Sequence, residues 1–117
     1  MIITSRKPYT AGEIEKLKEE FEVYVKTVID LKRKVCSAGA NRHFESEEIL
    51  LGEGSQQSDL WGGGIDLAAG TVNFDSMINI RPQENNRSNE IQDPAKRAAF
   101  EELTKFFFQE ALNEPRN

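Results

Sequence analysis

Apolar residues recur along the chain at two periods, and the switches between them mark its elements. Ile14, Leu17, Phe21 and Tyr24 follow one another at three- and four-residue steps, with Glu15, Lys16, Glu19 and Glu22 opposite, which predicts an amphipathic helix. Thr10 and Glu13 supply the T-x-x-E of a capping box at its start, after Pro8 has closed a short strand over Met1 to Ser5. From Val25 to Ala40 the spacing changes. VKTVIDL and VCSAGA, rich in β-branched or small residues, flank a basic KRK, predicting a hairpin with Lys32, Arg33 and Lys34 at its tip. Phe44 to Leu51 predicts a short helix, with Glu45, Glu47 and Glu48 near its positive end and Gly52 or Gly54 as a left-handed cap. LWGGGIDL predicts a strand whose three glycines clear space beside Trp61.

Val72, Phe74, Ile78 and Ile80 then alternate, with Ser76 as the one gap, predicting an extended strand over 71–81 that turns Asn73, Asp75, Asn79 and Arg81 to the other side. Pro82 ends it, and the chain passes Asn85, Asn86, Arg87 and Ser88 before Asp93 and Pro94 open a final helix to about Leu112. Ala99, Phe100, Leu103, Phe106 and Phe107 form the buried stripe of that helix. Phe108 falls outside the stripe, leaving apolar surface that suits a homodimer. The order helix, hairpin, helix, hairpin, helix implies an α+β fold: an antiparallel sheet of about four strands in two hairpins, N- and C-terminal helices on one face, and a short helix between the hairpins.

At 117 residues the chain suits a single domain over 1–117. Its net charge of −5 repels phosphate backbones, which makes nucleic acid an unfavourable partner. Cys36 is the lone cysteine, so neither an intrachain disulfide nor a thiolate zinc cluster can form, and a reducing cytoplasm is the expected compartment. No apolar run is long enough for a signal peptide or a membrane span.

Two sets of residues carry candidate chemistry. His43 is the only histidine, and Glu47 shares its helix face four residues on. With either as general base and Arg81 stabilising negative charge, they would suit a small hydrolase or ribonuclease-like enzyme; the plainer reading is a histidine at a helix start. His43-Phe44-Glu45 matches the H-x-E of zinc deaminases, but the P-C-x-x-C that chemistry needs is missing. His43, Glu47, Asp59 and Asp75 lack metal-ligand spacing, and the triple glycine lacks the Lys-Ser or Lys-Thr of a phosphate loop, so no metal or cofactor is expected. The second set is Trp61, Asn73, Asp75, Asn79 and Arg81, with Asn86, Arg87 and Ser88 beyond. Side chains on one strand face stand about 6 to 7 Å apart, and arginine forks pair with carboxylate or phosphate, so this row suits a small anionic ligand or a protein partner. A solvated face with internal Asp75–arginine pairs is the plain alternative. A non-enzymatic binding module is the preferred function.

The chain carries His43-Phe44-Glu45, Gly54-Ser55, Asp59-Leu60-Trp61-Gly62, the block Phe74 to Pro82, Asn86-Arg87-Ser88 and Asp93-Pro94. In these it resembles a small uncharacterised bacterial domain family marked by an H-x-D/E helix start, a G-S…D-L-W-G run, F-D-S-x-I-N-I-R-P…N-R-S, and a D-P helix. Where that family tends to have Asn after W-G-x, this chain has Gly64. The resemblance implies common descent over nearly the whole chain and brings no activity with it.

Overall fold

In a computed structural model describing residues 1–112, five antiparallel strands form one sheet in the order β1-β3-β2-β4-β5. The strands are β1 (Ile3–Ser5), β2 (Tyr24–Asp30), β3 (Val35–Ala38), β4 (Leu60–Asp66) and β5 (Thr71–Asn73). The helices are α1 (Ala11–Glu20), α2 (His43–Gly52), α3 (Pro94–Phe107) and α4 (Gln109–Leu112). The α+β class and antiparallel pairing match expectation. The expected count of about four strands rises to five because the N-terminal segment pairs with β3 through Ile3↔Ala38 and Ser5↔Cys36.

Local signals set the helix starts. Thr10 Oγ1 accepts from the Glu13 amide while the Glu13 carboxylate accepts from the Thr10 amide, closing the capping box of α1. Asp93 caps the amides of Ala95 and Lys96, and Pro94 occupies the first turn of α3, where its missing N–H costs no hydrogen bond. Helix α1 is shorter than its apolar stripe suggests. Phe21 is its C-cap, and Tyr24, expected in the helix, opens β2 opposite Asp66.

One sheet face presents Val25, Ile29, Cys36, Trp61 and Ile65 to Ile14 and Leu17 of α1 and to Phe100 and Phe107 of α3. The opposite face carries a smaller cluster of Val28, Val35 and Leu60 under Leu50 of α2, with Ile78 packed beside it. The terminal helices thus share one face, and α2 covers only part of the other. Phe108 is fully buried, 5.0 Å from Tyr9 between ring centroids, because the chain turns there between α3 and α4. Phe106 is the ring left 43% exposed, which moves the expected apolar surplus to a different residue.

The largest departure lies in residues 71–81. Strand β5 stops at Asn73, whose side chain folds back to accept from the Asp75 amide at 2.9 Å, and Ser76 caps a single 3-10 turn over Met77–Asn79. Alternation survives in the sequence but not in space. Val72 and Phe74 pack on the larger cluster, Ile78 joins the smaller one across the sheet, and Ile80 is exposed.

Candidate functional site

The loop after β5 is built by the side chains expected to face a ligand. Asn79 is fully buried; its Oδ1 accepts from the Gly62 amide at 2.8 Å and its Nδ2 donates to the Gly62 carbonyl at 2.9 Å. It thereby replaces a strand residue beside β4 where β5 has ended, and the same Nδ2 reaches the Phe74 and Asn89 carbonyls. The Asn86 amide donates to the carbonyls of Asn79, Ser88 and Glu90 and accepts from the Gln92 amide, so it ties both ends of the loop together. Arg81 lies 4.0 Å over the Trp61 ring and donates to the Gln57 and Leu60 carbonyls. Burial pulls its pKa below the ordinary arginine range, with Glu84 and Glu47 opposing.

The expected recognition row is therefore not a row. Asn79, Arg81 and Asn86 are at most 3% exposed and hold backbone groups, and Trp61 is buried with Arg81 and Lys96 both close to its ring. Asn73 and Asp75 form a separate group with Tyr24, whose hydroxyl bonds Asn73 Oδ1 at 3.2 Å. Burial, with the nearby Asp75 charge, pushes Tyr24 up to about 12. Ser88 holds the Glu90 amide, leaving Arg87 as the exposed cation of the set. A hollow of about 240 Å³ beside Trp61 and Asn86 is lined by Glu84 and Asp93 as well as Lys96, a poor setting for an anion.

His43 and Arg81 hold different points of β4, whereas Glu47 lies near enough to Arg81 for its charge to act on the guanidinium. His43 Nε2 meets the Gly63 carbonyl at 2.7 Å, whereas Arg81 meets that of Leu60, three residues back along β4, about 10 Å by strand rise. Glu47 lies one helical turn beyond His43, with one carboxylate oxygen buried and unpartnered. Among the described residues, no group of three or more His, Cys, Asp and Glu could hold a metal, so His43, Glu47, Asp59 and Asp75 are not assembled.

A cleft of about 410 Å³ opens instead on the half-covered sheet face. Lys26 enters it from β2, Arg42, His43 and Phe44 from the start of α2, and Ser76, Met77 and Ile78 from the turn after β5. The backbone puts them together. Register sets Lys26 opposite Gly64 and Val28 opposite Gly62, so the glycines lie beside Lys26 and contribute no side chain of their own. A Cβ on Gly62 would stand 2.7 Å from Ser76 Cβ, one on Gly63 would overlap the Asn73 carbonyl and the Phe100 ring, and one on Gly64 would overlap the Tyr24 hydroxyl. Gly39, at φ +96°, then turns the chain from β3 toward α2, and Lys26 Nζ donates to the Asn41 carbonyl at 2.8 Å.

Its electrostatics are one-sided. No carboxylate lines the cleft, and neither Lys26 nor Arg42 joins an ion pair among the described residues. Burial lowers the pKa of His43; its Gly63 hydrogen bond opposes this and Lys26 adds to it. Phe44 is 45% exposed and Met77 80%, an apolar rim beside two cations. Sequence reading found His43 but missed its neighbours. The available hint was Lys26, the one cation inside the run VKTVID.

A family model described as a protein of unknown function matches residues 1–107. No curated protein matches the chain, and no solved structure does. No described helix is long and apolar enough to cross a membrane.

Proposed function

The chain belongs to the family of proteins of unknown function DUF5674, and we propose that it is a binding module whose cleft between α2 and the Met77–Asn79 turn takes a small anion with an apolar body. The single observation that carries this reading is the pairing of two unpaired cations, Lys26 and Arg42, with exposed Phe44 and Met77 around a cleft free of carboxylates. Its volume falls in the range of small-molecule sites, about 300 to 1,000 Å³. The anionic ligand expected from the sequence is kept, and its place moves from the strand-and-loop row to the other side of β4. A hydrolytic role for His43 has less support, because both terminal nitrogens of Arg81, the expected charge stabiliser, already serve carbonyls.

Ligand-observed NMR with a panel of small arylalkyl and alkyl carboxylates and phosphates tests this. Replacing both cations, Lys26→Ala with Arg42→Ala, is expected to weaken the best binder by about tenfold or more, since charge-assisted hydrogen bonds would be lost. Arg87→Ala is expected to leave it unchanged. A panel without a binder, or binders indifferent to the double variant, overturns the proposal.

A further inference from the structure

We infer that the anion accepted by this cleft carries a hydroxyl beside its charged group, and that His43 Nδ1 reads it as a hydrogen-bond acceptor. This rests on the cleft being an anion site, as proposed above, and adds the class of ligand: a small hydroxycarboxylate with an apolar body.

The Gly63 carbonyl can only accept, so the 2.7 Å contact requires the proton of a neutral His43 ring to sit on Nε2. Nδ1 is then a lone-pair acceptor. It has no hydrogen-bond partner among the described residues and is not among the buried unpartnered atoms, so it is open to solvent on a residue that lines the cleft. The lowered affinity of the ring for a second proton, caused first by burial, keeps that lone pair available at neutral pH. Lys26 and Arg42 answer the ligand's charge but can only donate, so an anion satisfies them and leaves His43 unanswered. A donor on the ligand would take the place of water at Nδ1, and a carboxylate has none.

Ser76 narrows the choice further. Its Oγ accepts from the Ile78 amide at 3.3 Å, which leaves its hydroxyl proton to donate from the opposite wall. A hydroxyl both donates and accepts, so it is the smallest group able to answer His43 and Ser76 alike. Phe44, Met77 and Ile78 supply the apolar contact for the remainder of the molecule.

Titration calorimetry with 3-phenylpropanoate, 3-phenyllactate and 2-methoxy-3-phenylpropanoate tests the inference on the unaltered protein. The hydroxy acid is expected to bind about tenfold more tightly than the other two, because only it can donate to Nδ1. In His43→Phe, verified as folded by its amide spectrum, that preference is expected to vanish while 3-phenylpropanoate still binds. His43→Gln retains a donor for Gly63 and an acceptor oxygen, and should recover part of it. Equal binding of the three acids by the unaltered protein overturns the hydroxyl reading and leaves the anion site standing. Failure of all three to bind, together with an empty panel, overturns both.

Discussion

The loop from Phe74 to Asp93 and the cleft above the β4 glycines adjoin one another and use polar residues in opposite ways. In the loop, asparagine and arginine side chains are buried and hold backbone groups: Asn79 bonds both polar atoms of Gly62, Asn86 bonds three carbonyls, and Arg81 bonds two more. In the cleft, Lys26, Arg42 and His43 are held at one point each, or not at all, and keep donors or a lone pair free. Chemical richness in a sequence block is thus a poor guide to ligand contact. A loop whose backbone pairs with itself only in part, as at Asp75 with Glu90 and Arg81 with Asn86, recruits polar side chains for the rest, because buried unpaired amides and carbonyls are costly.

Asn79→Ala is expected to have the largest effect on the loop. It strands the Gly62 amide and carbonyl and two loop carbonyls, so urea denaturation should show a loss of about 3 kcal/mol or more. A loss below about 1 kcal/mol would mean that the loop does not depend on its asparagine. Arg81→Lys comes next, at about 2 kcal/mol, since an ammonium cannot span the Gln57 and Leu60 carbonyls from its place over the Trp61 ring. A smaller effect tests the cleft side. The folded pKa of His43 lies below its ordinary value near 6.5, so the native state binds that proton less well than the unfolded state. Its contribution is whole above about pH 6.5 and lost as pH falls through the lowered folded value. Stability curves of the protein and of His43→Gln should therefore converge on acidification. The smallest effects belong to Arg87→Ala and Phe44→Ser, both exposed positions, where unfolding should change by no more than about 0.5 kcal/mol.

Elements with local signals were legible. Thr10 with Glu13 and Asp93 with Pro94 fixed two helix starts because a cap depends on residues three or four apart. The hairpin of VKTVIDL with VCSAGA could be read, but not the second pairing of β3 with β1. Residues 71–81 misled because alternation records only which residues are apolar, and two clusters on opposite sides of the sheet satisfy it as well as one. Asn79 could not be read as a stand-in for a strand residue without knowing that β5 leaves Gly62 unpaired. The cleft was hidden for a similar reason. Lys26, His43 and Met77 are far apart in sequence and meet through the β2–β4 register, the turn at Gly39 and the turn capped by Ser76.

Amide NMR of the isotopically labelled protein during titration with 3-phenyllactate distinguishes the cleft from the loop as the place of binding. The account predicts saturable shifts concentrated at Lys26, His43, Phe44 and Met77, with Arg87 and Ser88 unmoved. Shifts concentrated at Arg87 and Ser88, with the first group still, would contradict it.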